Sequence, residues 1–290
     1  MSREVSLIFN TDKPEAVETA ERLIKWGAEN GVDFLVSNEE GRLLPGGVKT
    51  DFHNMADFAV VLGGDGTFLR AARMFFGSSV PIYGVNFGRL GFMSTGQPAT
   101  VEQDIRNILD GKYNVTEREV IRGCVVRNDE LVYSMHALND LVISKAILSR
   151  VVKLEVSVNG ELLSDFLSDG IILSTATGST AYSLSAGGPI IPPQVSCIAV
   201  VPICAHTLFS RPVILNGKDR VLVTIKGSSA KMYLTQDGQQ AYELFEGDSV
   251  VAEIEPEFKI YTIEPEGRSY FDLLRRKFSW GFSGADEGKN

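Results

Sequence analysis

The 290 residues carry 28 basic and 37 acidic side chains, a net charge of −9, and 44% hydrophobic content. That is ample apolar material for one large or two medium domains, and the lack of a Lys/Arg-rich run argues against nucleic-acid binding, which needs a concentrated basic face. The early apolar run Val5–Phe9 is too short for a signal peptide and no uninterrupted span approaches membrane length, so the expectation is a soluble, cytoplasmic protein with no membrane partner.

The first part of the chain alternates strand and helix. Val5–Phe9 reads as a strand, and Pro14–Gly27 as a helix with Val17, Ala20, Leu23 and Ile24 on one stripe. Further strands are predicted over Val32–Val36, Phe58–Leu62 and Val80–Val85, with helices over Thr67–Phe76 and Thr100–Leu109. Such alternation implies a parallel sheet flanked by helices, whose ligands sit beyond the carboxyl ends of the strands.

The pattern changes near Tyr113–Arg118 to short strand-like runs separated by turns. Val151–Val158 leads through Asn159-Gly160 into Glu161–Leu163, a hairpin signal. Ile171–Ser174, Ile198–Pro202, Arg220–Ile225, Lys231–Thr235, Tyr242–Phe245 and Val250–Ile254 follow, with turns at Asp237-Gly238 and Glu246-Gly247-Asp248. This is the signature of a mostly-β, sandwich-like domain. Tyr270–Phe278 returns to helical spacing, and Ser283–Asn290 reads as a frayed tail.

Cys124, Cys197 and Cys204 are odd in number, lie in or beside apolar runs and form no CxxC, so buried thiols are expected. His53, His136 and His206 are scattered and mark no metal site; metal ligands stay unassigned.

Chemistry concentrates first in Gly63-Gly64-Asp65-Gly66-Thr67, between the apolar run Asp57–Leu62 and the helix that opens at Phe68. Glycines let a backbone approach a ligand closely, and a helix N-terminus offers unpaired N–H groups and partial positive charge, which suit phosphate. Gly63, Gly64, Gly66 and Thr67 thus form a candidate phosphate loop. Set among phosphates, Asp65 could orient a hydroxyl, accept its proton or help hold Mg²⁺. A tight strand-to-helix turn with an Asp near a helix start is the bland alternative, and three glycines around one acid make it the weaker one. With no Lys-Ser or Lys-Thr after the glycines, this is not a Walker loop, and it is not a GxGxxG fingerprint.

Two further constellations follow. Asn86-Phe87-Gly88-Arg89-Leu90-Gly91-Phe92 ends a strand and suits either a loop that approaches a flat ligand or an ordinary turn with two buried phenylalanines. Asp169–Pro189 clusters Ser, Thr and Gly around Tyr182 between a strand and a Gly-Gly-Pro stop. Hydroxyls that donate and accept, beside an aromatic face, suit a polar ligand with sugar hydroxyls and a base.

Together these segments resemble the NAD kinases, which phosphorylate the 2′-hydroxyl of NAD's adenosine ribose using a nucleoside triphosphate or polyphosphate. The likeness covers Gly63–Leu69, Asn86–Phe92, Ala137–Val142, Asp169–Ile190, Pro202–Pro212 and Asp237–Gln239. The Gly-Gly-Asp-Gly piece is shared with diacylglycerol and sphingosine kinases and with phosphofructokinases, whereas the run Asp169–Ile190 points to NAD kinases. The resemblance makes Asp65 the proton acceptor, with Gly66 beside it in the NAD site and Arg70 a basic position that faces the cofactor. It assigns NAD contacts to Asn139 and Asp140, where the family pair is Asn-Glu and the shorter Asp implies a longer or water-mediated contact. Arg150 and Asp169 match binding positions, as do Thr180, Ala181, Tyr182, Ser183, Leu184, Ser185 and Gln239. Ala176 and Ala205 stand where the family has Pro, a change in loop stiffness more than chemistry.

The fold implied is an α/β domain over 1–115, Rossmann-like and similar to phosphofructokinases and diacylglycerol kinases. A β-rich NAD-binding domain follows over 116–264, then a C-terminal helix and tail over 265–290 that packs on one of them, with the active site in the crevice between the domains. Because phosphoryl transfer rests on positioning and charge neutralisation, Mg²⁺ or Mn²⁺ is expected with ATP or polyphosphate as donor. A homo-oligomer, dimer or tetramer with sites shared between subunits, is implied by the resemblance, and by the need to cover edge strands. A lipid kinase sharing the glycine motif and a non-catalytic dinucleotide-binding module are the rival readings. The first fits the Thr177–Ser185 loop poorly, and the second leaves Asp65 without a purpose.

Overall fold

A computed structural model describes residues 3–44, 56–146, 151–206, 209–227, 231–267 and 269–280. Arg150, His53 and the tail from 283 lie outside the described residues. Two compact units emerge, Met1–Thr116 with Tyr261–Asn290, and Glu117–Ile260.

The first unit runs β1 (Arg3–Phe9), α1 (Pro14–Asn30), β2 (Val32–Leu35), the single turn α2 (Asn38–Gly41), β3 (Phe58–Gly63), α3 (Asp65–Met74), β4 (Ile82–Asn86) and α4 (Val101–Leu109). The strands pair in parallel in the order β2-β1-β3-β4. Pro14 starts α1, where its missing N–H costs nothing, and Gly31 ends it at φ +70°. Every residue of β3 is buried, as befits a central parallel strand. Phe58, Val60 and Leu62 share a core with Ala20 and Leu23 of α1 and Ile105 and Ile108 of α4. The alternate Ala59 and Val61 point the other way, and α3 turns Phe68, Leu69, Ala71 and Ala72 inward. The glycine turn follows the carboxyl end of β3, and Phe87–Phe92 follows that of β4, so parallel pairing brings the two loops together.

The second unit is a β-sandwich. Its strands are β5 (Tyr113–Arg127, which begins in the first unit), β6 (Glu130–Ala137), β7 (Asp140–Lys145), β8 (Val152–Val158), β9 (Glu161–Ser168) and β10 (Gly170–Ser174). A 3₁₀ turn at Thr177–Thr180 and the one-turn α5 (Tyr182–Ser185) precede β11 (Cys197–Ile203), β12 (Val213–Asn216), β13 (Val221–Gly227), β14 (Met232–Gln236), β15 (Gln240–Leu244) and β16 (Ser249–Pro265). One layer is antiparallel with order β12-β11-β10-β7-β14-β15. In the other, the first part of β16 pairs β13, then β8 and β9 follow, and β5 and β6 form a hairpin. Leu141, Ile143, Ile171, Leu173 and Leu234 of the first layer meet Leu154, Val156, Val223 and Val250 of the second in one core. On the opposite face of the six-stranded layer, Val142, Ile172, Ala199 and Val201 are capped by Ala176, Ala186 and Ile191 from the segment after β10.

The hairpin expected at Asn159-Gly160 forms, with φ +52° and +87°. Strands β5, β6, β7 and β12 were not predicted, and β16 runs 17 residues where Val250–Ile254 was expected. Strands β5 and β16 are longer and more polar than the expected short runs because their charges pair across the sheet. Arg122 bonds Glu253 and lies 3.2 Å from Glu255, and Lys259 lies 2.5 Å from Glu117. The chain re-enters the first unit through the end of β16, where Thr262 pairs in parallel with Ile82, and closes with α6 (Tyr270–Phe278). Ser269 caps α6 by accepting the Phe271 N–H, the Phe278 ring lies 6.0 Å from that of Phe92, and Lys277 donates to the Leu90 carbonyl.

Candidate active site

Asp65 is the first residue of α3, with Gly64 as an extended N-cap. Its Oδ2 accepts the Phe92 N–H at 3.0 Å and its Oδ1 the Met93 N–H at 3.3 Å, so the first and second constellations are one structure. A carboxylate has about four acceptor positions, which leaves room for a ligand hydroxyl on each oxygen. The three motif glycines serve different ends. A Cβ at Gly63 would lie 2.3 Å from Thr67 Oγ1, so that glycine lets Thr67 fold back on the strand. At Gly64 and Gly66 a Cβ would meet nothing within 4 Å, which leaves that side of the turn open.

The Asn86–Phe92 loop is pinned from several sides. Asn86 Nδ2 donates to the Arg89 carbonyl at 2.8 Å, Phe87 N–H to Gly63 at 2.9 Å, and Lys13 Nζ to the Phe87 carbonyl at 2.6 Å. Phe87 and Phe92 are half-buried. Arg70 donates to the Phe9 carbonyl at 2.8 Å and to Glu40 Oε1 at 2.9 Å, so its guanidinium is engaged by the buried Glu40 while part of the side chain stays open.

In the second unit Asn139, Asp140 and Gln239 lie at one end of the six-stranded layer. Asp140 starts β7, opposite Ser174 at the end of β10, and the β14–β15 turn carries Asp237 and Gln239. Asn139 and Asp140 are buried, and Asn139 Oδ1 has no hydrogen-bond partner. Burial, and next the Asp237 carboxylate, push the Asp140 carboxyl up to about 7. Asp169 lies at the far end of β10, paired with Lys145 at 2.7 Å. Tyr182, 46% exposed, has its phenol pushed up by burial and then by Cys204, Asp140 and Asp169, which places it in the field of both carboxylates.

The hydroxyl cluster divides into scaffold and surface. Thr175 Oγ1 donates to the Leu138 carbonyl at 2.6 Å, Ser179 Oγ to Ala176 at 2.6 Å, and Ser179 Oγ accepts the Ile191 N–H at 3.0 Å. These buried hydroxyls tie the loop to the sheet, so only part of a run that suits a polar ligand by composition is left to meet one. Ser183 is fully buried with its hydroxyl unpartnered, whereas Thr180, Ala181, Tyr182, Leu184 and Ser185 reach the surface in part or in full. Gly178 lets the loop approach: a Cβ there would sit 2.1 Å from the Asn139 carbonyl. Gln239 is exposed. Sequence reasoning missed Lys145 and read Asp237 only as a turn residue; a cross-strand partner has no signal in linear order.

Among the described residues no three His, Cys, Asp or Glu side chains converge as a metal set, and no helix is long and apolar enough to cross a membrane.

The first unit matches the family model described as the ATP-NAD kinase N-terminal domain over residues 5–113, and residues 138–263 match the ATP-NAD kinase C-terminal domain. The chain is 39% identical over 282 residues to the NAD kinase of Geobacter sulfurreducens, covering 96% of this chain and 99% of that one. It is 36% identical over 281 residues to that of Thermoanaerobacter pseudethanolicus, with the same coverage. Two solved structures share the fold. Yeast NADH kinase complexed with NADH superposes with a TM-score of 0.87 at 24% identity, covering 97% of this chain and 89% of that one. An NAD kinase from Archaeoglobus fulgidus in complex with ATP gives 0.74 at 23% identity, covering 96% and 100%.

Proposed function

The chain belongs to the NAD kinase family, and on that premise we propose that it transfers a phosphoryl group from ATP to the 2′-hydroxyl of the adenosine ribose of NAD, giving NADP. The observation that carries the proposal is the placement of Asp65, a carboxylate held by the Phe92 and Met93 amides at the mouth of a glycine turn whose Gly64 and Gly66 face open space. A ribose hydroxyl is a poor nucleophile. Asp65 aligns it and takes its proton as the new P–O bond forms, while N–H groups at the start of α3 receive phosphate charge. Asn139 and Asp140 read the dinucleotide's donors, with Gln239 on the adjoining turn and Tyr182 in the field of both Asp140 and the more distant Asp169. Family membership separates the protein from the lipid kinases that share only the glycine motif.

Asp65, the carboxylate in the turn, would hold a Mg²⁺ or Mn²⁺ brought by the donor, and the ion would neutralise phosphate charge there. Polyphosphate is a second candidate donor. The enzyme is cytoplasmic and acts as a homo-oligomer. Support for assembly comes from β9, a terminal strand of its layer that exposes Leu162 and Leu167.

The test incubates the purified full-length protein with NAD and either ATP or polyphosphate, with and without Mg²⁺, and measures NADP. Metal-dependent NADP formation with ATP is expected. A folded protein that yields no NADP with any donor overturns the reading.

A further inference from the structure

Asp237 opens the β14–β15 turn at φ +49°, with Gly238 next at +63°. Chain reversal alone asks for residues that tolerate positive φ, a need Asn meets as well as Asp. The Asp237 side chain, however, also reaches the neighbouring corner. Its Oδ1 accepts the Asn139 N–H at 2.7 Å and the Asp140 N–H at 3.3 Å, and its Oδ2 accepts the Leu138 N–H at 3.2 Å. In return the Asp237 N–H donates to the Asp140 carbonyl at 3.0 Å. One carboxylate thus gathers three successive amides of the corner between β6 and β7.

That corner needs such an anchor. Leu138 and Asn139 lie between strands, so no ladder bond is due to their amides, and a buried N–H must find an acceptor. The carbonyls on the opposite side are held by the hydroxyl loop: the Thr175 N–H donates to the Asn139 carbonyl at 2.9 Å. The corner is fixed from both sides, and what it presents is the unpartnered Asn139 Oδ1 and the Asp140 carboxyl.

We propose that Asp237 is a positioning residue for NAD recognition, holding the Leu138–Asp140 corner so that Asn139 and Asp140 meet the dinucleotide; this rests on the NAD kinase reading above. A second consequence follows from its charge. Asp237 is the titratable group that acts on Asp140, its carboxylate opposing ionisation of its neighbour, and Asp140 in turn raises the Tyr182 phenol. Asp140 accepts ligand hydroxyls best when ionised, so Asp237, adding to the larger effect of burial, also raises the pH above which NAD binds well.

Two variants of the full-length protein test this. In Asp237→Ala the corner loses its anchor: amide hydrogen exchange at Leu138, Asn139 and Asp140 in the ligand-free protein is expected to accelerate ~10-fold or more, and KM for NAD to rise ~10-fold, with kcat within about threefold. In Asp237→Asn the turn is preserved, because Asn adopts positive φ readily, and one acceptor oxygen remains. Here the midpoint of the KM–pH profile is expected to move to lower pH, since the like charge is gone. Lower melting temperature with unchanged KM, unchanged midpoint and unchanged exchange would mean a merely structural turn residue and overturns the proposal. Should Asp237→Ala not fold, Asp237→Asn decides through the pH midpoint. Should the wild type make no NADP, the kinase reading falls and the exchange rates alone decide whether Asp237 holds the corner.

Discussion

Asp65 occupies the space a side chain on Gly91 would need: a Cβ at position 91 would lie 2.2 Å from Asp65 Oδ1, and the next amide, Phe92 N–H, donates to Oδ2 at 3.0 Å. The carboxylate after β3 and the loop after β4 therefore specify each other. The loop aims the acid, and the acid closes the loop.

Asp65→Asn is expected to lower turnover by roughly 10²–10⁴-fold, the usual weight of a positioned acid or base. Gly91→Ala displaces the same carboxylate without changing it, and a loss of kcat by about 10-fold or more is expected while KM for NAD moves little. Steady-state kinetics on both variants, with circular dichroism to verify folding, make the check. Near-normal kcat in a folded Asp65→Asn removes Asp65 from the chemistry.

Gly178→Ala tests the approach of the hydroxyl loop to the Leu138–Asp140 corner and the proposed role of that corner. The added methyl would collide with the Asn139 carbonyl at 2.1 Å, and overpacking of this kind costs about 1–3 kcal/mol. A lower melting temperature and a raised KM for NAD are expected together. A raised KM without loss of stability would show that the loop yields instead of the corner.

Asp140→Asn carries a pH signature. The Asp140 carboxyl is pushed up to about 7, above the ordinary value of about 3.9. Its neutral form therefore favours folding fully below about pH 4, and that contribution is lost as pH rises through about 7. The amide has no proton to lose, so the variant should gain on the wild type in melting temperature as pH rises from about 4 to about 7 and run parallel to it above that. KM for NAD should rise and lose its step near neutrality. Melting curves that stay parallel across this range would exclude a titrating Asp140.

Sharing of sites between subunits is tested with two inactive variants, Asp65→Asn and Tyr182→Ala, mixed and allowed to exchange. Hybrids with one intact site should restore activity above either parent. An active monomer by mass measurement, or proven exchange with no recovery, rejects shared sites.

The sequence by itself determined the alternation of the first unit, the hairpin turns and the chemical content of the site. Those signals are local: β3 shows as a continuous apolar run, Asn159-Gly160 as paired positive φ, and Asp65 as the one acid among three glycines. Only the tertiary structure decided what each polar group does. Strand β5, and the part of β16 beyond Ile254, do not show in the sequence because Arg122 and Glu255 look like solvent-facing charge until the sheet sets them side by side. Thr175 and Ser179 sit in a hydroxyl-rich run that suits a polar ligand, yet their hydroxyls bond backbone, and Asp237 reads as a turn, yet its carboxylate gathers amides nearly 100 positions away. Local spacing reports backbone conformation, whereas the partner of a hydroxyl or carboxylate is chosen by which segments the sheet order brings together, and the order β10-β7-β14 is a property of the folded layer alone.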